Sequence, residues 1–187
     1  MPKSETLETE LLGQQVKFNY SETWLGYSIL ALRFFIAWIF LQAGIEKIAD
    51  HHLGDGWTSV HFLEGVEAAN PFSELFYWFA QHPELIDPMV MYGQVIIGLA
   101  LLTGFFFRGF ALAGGLQMMM FWLASFEAGF MAGLPVEHGF VVNDTLIYMV
   151  LLFGLGAWGA GRLLGLDRRI EETDIVQENE WLRYLLG

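Results

Sequence analysis

Apolar positions gather into four long runs, at residues 25–45, 89–107, 109–126 and 140–158, divided by polar or mixed segments. A bilayer's hydrocarbon core takes about 20 residues of helix, with a usual range of roughly 17 to 25. Backbone polar groups cannot stay unpaired in hydrocarbon, so each run is expected to be a helix. The pattern predicts an all-α integral membrane four-helix bundle, built as one unit over residues 1–187.

Between the first two runs lies a long segment, 48–88, expected to lie outside the membrane. Gly54-Asp55-Gly56 is a turn signal. Thr58, Phe62, Val66 and Ala69 then recur at helical spacing, predicting a helix over 57–69 that Asn70-Pro71 breaks. A second short helix is predicted over 72–81, with Phe72, Leu75, Phe76 and Phe79 on one face. Both are too short to span and read as interfacial or re-entrant pieces over the bundle. A Gly-rich second loop, 127–139, precedes the fourth run. The tail, 162–187, is charged and partly helical, with 181–186 amphipathic. Gly98, Gly104, Ala111, Gly114, Gly115, Gly154, Gly156 and Gly159 are small residues that let membrane helices approach closely.

Basic residues set the orientation. Lys3 and Lys17 precede the first run, Arg108 sits between the second and third, and Arg162, Arg168, Arg169 and Arg183 follow the fourth. All fall on one face, which predicts a multi-pass plasma-membrane protein with both termini cytoplasmic. The first 24 residues are polar and acidic, unlike a cleaved signal.

The chain has 187 residues, 55% of them hydrophobic and 16% charged. It contains no cysteine, which excludes thiolate chemistry and Cys-ligated centres built from this chain alone. Its net charge of −12 argues against nucleic acid and against docking to anionic lipid. With three lysines and acids spread over tails and loop, it reads as adapted to high salt, as in a halophilic archaeon; the plainer alternative is an ordinary acidic protein.

Polar groups inside lipid are costly and so mark candidate sites. With alternating helices, Gln42, Glu46, Lys47, Gln94, Ser125, Glu127, His138, Asn143 and Asp144 all fall near the outer ends of the four runs. Gln42 and Glu46 share a helix face, as do Asp144 and Tyr148. A carboxylate at 144 could pair with Lys47. One reading is an outward-opening pocket for a polar headgroup such as a lipoquinone's, with Gln42, Gln94, Trp122 and Tyr148 as its contacts and Phe126 adding an aromatic wall. Lys47, Glu46, His138 and Asp144 are the candidates for chemistry. The other reading is ordinary helix-end residues in contact with water. Arg33 and Arg108 read as structural polar residues, Arg33 snorkelling or hydrogen-bonding within the bundle. Asp50-His51-His52 contains metal-ligand types, but adjacent histidines in a loop do not define a site, and no metal is expected.

Several stretches together resemble the DoxX/DoxD family of small four-helix membrane proteins, and a haloarchaeal type most of all. They are Leu32-Arg33 through Gly44-Ile45-Glu46-Lys47; Gly98 to Gly104 followed by Arg108; and Gly161-Arg162-Leu163-Leu164-Gly165-Leu166-Asp167-Arg168. Phe62-Leu63-Glu64-Gly65-Val66 with Asn70-Pro71 is similar to the larger, DoxD-like members. Gln94 departs from the glutamate that many relatives carry. The resemblance implies membrane redox chemistry: such members are described as the small subunit of thiosulfate:quinone oxidoreductase, or as partners in stress-response and sulfur-metabolism complexes.

Two functions follow. One is a subunit of a quinone-linked oxidoreductase acting on a sulfur compound, with lipoquinone as its cofactor. The other is a non-catalytic scaffold or assembly factor for a redox complex. Either expects the lipid bilayer and another membrane or redox subunit, or a second copy of the chain, as partners. A transporter is disfavoured by the lack of repeats and broken spans.

Overall fold

The computed structural model describes residues 4–126 and 142–187. Lys3, Glu127, His138, the second loop and the first residues of the fourth apolar run lie outside the described residues.

The chain begins in a β-hairpin that the reading of a polar leader did not anticipate. Strands β1 (Ser4–Leu11) and β2 (Gln14–Ser21) pair antiparallel, with Leu7 opposite Phe18 and Thr9 opposite Val16. Alternation sorts the side chains. Leu7, Leu11, Val16, Phe18 and Tyr20 share one face; Thr6, Glu8, Lys17 and Asn19 share the other, where Lys17 pairs with Glu8 and Thr6 donates to Asn19 at 2.7 Å.

β2 runs directly into α1 (Glu22–Leu53). At 1.5 Å per residue this helix is about 48 Å long, well beyond a hydrocarbon core of about 30 Å. The expected end at 45 is corrected to Leu53. Helix does not stop where apolarity stops; it stops at Gly54, whose N–H returns to the Asp50 carbonyl at 3.1 Å. The expected loop start at 48 moves accordingly.

Two short helices follow, α2 (Val60–Glu64) and α3 (Ser73–Ala80). The first is shorter than the predicted 57–69. Ser59 is pinned by Asp87, so the chain before Val60 cannot wind, and Gly65 ends the helix with its N–H on Leu63. The Asn70-Pro71 break is present: Asn70 Oδ1 accepts from the Phe72 N–H at 2.8 Å.

α4 (Pro83–Thr103) starts six residues before the expected 89. Proline at the first helical turn costs nothing in hydrogen bonds, because that N–H has no helical partner. α5 (Phe107–Ala124) and α6 (Asp144–Ala157) follow. By length and composition, α1 and α4 can each cross a membrane, and α6 is a shorter apolar helix of 14 described residues.

The four long helices meet at one point. A Cβ on Gly114 of α5 would stand 3.2 Å from each of Phe40 in α1, Ile97 in α4 and Leu152 in α6. Around it lies the core of Ile36, Ala37, Leu101, Phe107 and Leu155. α1 and α4 touch most closely at their glycines. A Cβ at Gly98 would fall 2.7 Å from Leu41, and one at Gly44 would fall 2.9 Å from the Met91 carbonyl. The small residues therefore do pack helix on helix.

One end of the bundle is capped by the 54–82 segment. Leu63, Val66 and Phe76 pack on Ala124, and Asn70 Nδ2 donates to the Leu123 carbonyl at 2.9 Å. The other end carries the hairpin and the tail. The tail forms α7 (Asp167–Ile170), α8 (Asp174–Glu178) and a 3-10 turn (Glu180–Tyr184). It folds back on the bundle, burying Val176 and Leu186, with the Gly109 N–H bonded to the Leu185 carbonyl at 3.2 Å.

Candidate functional site

Two buried polar centres stand out, one toward each end. The first lies one turn from the Gly114 meeting point, toward the capped end. Gln94 precedes Ile97 by three residues in α4, and Gln117 follows Gly114 by three in α5. The two helices run antiparallel, so both glutamines sit at the same level. Gln94 is only 3% exposed. The Oε1 atoms of Gln94 and Gln117 are both buried without a hydrogen-bond partner among the described residues. Leaving a buried acceptor unpaired costs about 1–3 kcal/mol, and here two such acceptors share a level. On the same turn α6 contributes Tyr148, packed against the core, and α1 contributes Gly44.

The remaining outer-cluster residues are arranged otherwise. Gln42 donates to Glu46 at 2.8 Å on an exposed face, as the shared face predicted. Lys47 donates to the Ala43 carbonyl at 3.1 Å and stands 5.8 Å from the Trp57 ring centroid. Asp144 is exposed at the first turn of α6, where its Oδ1 accepts from the Thr145 N–H at 3.0 Å. The possible Lys47–Asp144 pair does not form; the ion pairs among the described residues are Lys17–Glu8 and Arg162–Glu171. Trp122 stacks edge-on against Phe126, 4.8 Å between centroids. His51 is in helix rather than loop, with Nδ1 2.6 Å from the Trp57 carbonyl, and His52 contacts the Tyr92 hydroxyl at 3.1 Å. His138 lies outside the described residues. None of the three described cavities is lined by Gln42, Glu46, Lys47, Gln94 or Asp144.

Sequence reasoning missed a buried carboxylate at the capped end. Asp87 accepts from both the N–H and the hydroxyl of Ser59, at 2.7 and 2.5 Å, and ties the loop to α4. Asp87 falls within the 48–88 segment expected outside the membrane, where an acid is ordinarily solvated.

The second centre is at the hairpin end. Arg33 is 5% exposed, and its Nη1 donates to the carbonyls of Ala160 and Leu163 at 2.6 and 2.7 Å. Of the two readings of Arg33, snorkelling or hydrogen-bonding within the bundle, these contacts correspond to the second. Asp167 is fully buried and was not singled out. Its Oδ2 accepts from the N–H groups of Phe107 and Gly187, both at 2.9 Å, while Oδ1 has no partner among the described residues. Burial pushes its carboxyl above the usual range, against the pull of the Gly187, Phe107 and Phe106 amides and of Arg162. Arg162 itself holds Glu171 through two hydrogen bonds of 2.9 and 3.1 Å, which keep Glu171 below the usual carboxylate range. Arg108 donates Nε to the Gly156 carbonyl at 2.9 Å. These residues join the α4–α5 turn, the 159–166 segment and the tail into one unit. Arg33 and Arg108 are thus both bonded to backbone carbonyls at this end.

The family model described as DoxX matches residues 28–128, a stretch that holds Arg33, Gln94, Arg108 and Gln117. An uncharacterized protein of Haemophilus influenzae is 28% identical over 166 residues, covering 86% of this chain and 93% of its own. No solved structure matches.

Proposed function

The chain belongs to the DoxX family, a family of membrane proteins, and from that premise we propose that it is a membrane subunit of a quinone-linked oxidoreductase. In this reading α1, α4, α5 and α6 all cross the membrane, with both termini cytoplasmic and the 54–82 cap outside. The observation that carries it is the pair of unpartnered oxygens of Gln94 and Gln117. Two acceptors at one level inside a bundle call for a ligand that brings donors. A quinol headgroup carries two hydroxyls and dissolves in the bilayer. Amide groups can also turn their N–H to a quinone carbonyl, so one pair of side chains serves both redox forms.

Because none of the described cavities is lined by Gln94 or Gln117, entry requires the cap or the helices to part. Gln94 and Gln117 have no proton to give or take at neutral pH. They hold and orient; electrons come from a partner subunit. Thiosulfate is the donor that the family resemblance implies, with Lys47 as the cation that would draw an anion to the capped end. The acid excess fits a high-salt habitat.

The scaffold reading keeps one specific support: Gln42, Glu46, Lys47, Asp87 and Asp144 are each satisfied locally rather than turned toward a common cavity. Solvent extraction of the gently purified protein, with mass spectrometry for lipoquinone, separates the two. The redox reading expects about one quinone per chain. No enrichment over bulk lipid leaves the scaffold reading.

A further inference from the structure

Arg108 stands at the junction of two cavities of opposite character. The first, about 490 Å³, is a groove between α5 and α6. Ala111, Gly115 and Gly156 make room for it, and Leu112, Leu116, Met149 and Phe153 wall it. Leu112, Leu116, Val150 and Phe153 are all exposed, so the groove opens sideways from the bundle. Apart from Arg108 its lining is apolar. The second cavity, about 460 Å³, adds Tyr20, Glu22, Trp158 and Arg162 to Arg108.

The guanidinium is incompletely used. Nε is bonded to Gly156, while the terminal nitrogens carry no hydrogen bond among the described residues. Glu171, the nearby carboxylate, is engaged by Arg162. Arg108 therefore offers a fork of free donors at the mouth of an apolar channel, the geometry that suits a phosphate. The dimensions are selective as well. From Arg108 to Met119 the groove follows α5 for eleven residues, about 16 Å. That is roughly half of a 30 Å hydrocarbon core, the depth of one leaflet. Trp158 beside Arg108 suits the headgroup level.

We infer that the α5–α6 groove is a binding site for one anionic phospholipid, its phosphate on Arg108 and one acyl chain along Ala111, Gly115 and Met149. Length and charge together select this occupant. A helix of a second copy would need an apolar face longer than one leaflet and would leave the terminal nitrogens of Arg108 without an acceptor, since Glu171, which lies near enough to interact with Arg108, is hydrogen-bonded by Arg162. A zwitterionic lipid would carry its own cation to the site.

The test uses the full chain in mild detergent, by native mass spectrometry and thermal melting with added phosphatidylglycerol, phosphatidylcholine or inorganic phosphate. One phosphatidylglycerol is retained per chain and raises the melting temperature; the other two probes do neither. Arg108→Gln weakens phosphatidylglycerol retention about tenfold and removes the preference, while Arg108→Lys keeps part of it. Leu116→Trp obstructs the groove from its open side with Arg108 intact and weakens retention too, which keeps the test valid if Arg108→Gln does not fold. Equal retention of phosphatidylcholine, equal stabilisation by inorganic phosphate, or unchanged retention in Leu116→Trp would overturn the assignment.

Discussion

Arg33 in the first long helix donates to the carbonyl of Ala160 at 2.6 Å, across 127 residues of chain. The same nitrogen reaches Leu163, so one cation satisfies two carbonyls where α6 has ended and the chain has no helical donors to give. Arg33→Ala should destabilise the protein by about 3 kcal/mol, since charged hydrogen bonds are lost and the Leu163 carbonyl is stranded, while Ala160 keeps a 3.3 Å bond from the Leu163 N–H. Arg33→Lys should recover only part, because the shorter lysine side chain carries its nitrogen less far toward the two carbonyls that Nη1 reaches. Thermal melting in detergent measures both.

Asp167 gives a pH signature. Its folded carboxyl lies above its unfolded value, so folding favours the protonated form. The stability it contributes is largest at low pH and falls as pH rises from about 4 through the raised value. Glu171 acts in the opposite sense: held low by Arg162, it stabilises above the usual carboxylate range and loses that contribution as pH falls. Asp167→Asn keeps an acceptor for the Phe107 and Gly187 amides while removing its share of the titration. In a Glu171→Gln background, where the opposing group is gone, stability should fall with rising pH; adding Asp167→Asn should flatten the curve. A curve unchanged by Asp167→Asn would refute the assignment.

Gly104 ends α4 with φ of 67°, a left-handed conformation that costs other residues about 1–2 kcal/mol. A Cβ there would also lie 2.8 Å from the Gly161 carbonyl, where the 159–166 segment crosses the turn. Gly104→Ala should cost about 2 kcal/mol or more, and Gly26→Ala, where a Cβ meets nothing within 4 Å, should cost little. Equal melting temperatures for the two variants would contradict the packing described.

Asp87 and Ser59 fasten the cap. Asp87→Ala strands the buried N–H and hydroxyl of Ser59, a loss of about 2 kcal/mol. Its effect should be local. Limited proteolysis is expected to cut within 54–82 before the long helices are attacked.

The helical runs were legible because hydropathy alone marks them: α1 contains its predicted apolar stretch, whereas α4 stops at Thr103, short of the expected 107, because Gly104 turns left-handed. Their ends were not, since Gly54 and Pro83, rather than the loss of apolarity, set the limits. The hairpin's period-2 alternation of Leu7, Val16, Phe18 and Tyr20 was present but masked by the charge around it. Gln94 could be singled out as a polar residue in an apolar run. Its partner in level, Gln117, needed the interhelical register that Gly114 and Ile97 fix, and no single segment contains that. Asp167 stands in a charged tail where acids are ordinarily solvated. Only the tail's return to the α4–α5 turn buries it.

The central claim is that Gln94 is kept polar for a ligand. Gln94→Leu replaces an amide whose buried oxygen has no partner among the described residues by an apolar side chain of similar size, so the ligand-free protein should gain about 1 kcal/mol or more in stability. Lipoquinone measured by mass spectrometry on the same preparation should fall from about one per chain to the bulk-lipid level. A Gln94→Leu protein that melts lower than the parent and still carries its quinone would contradict the account.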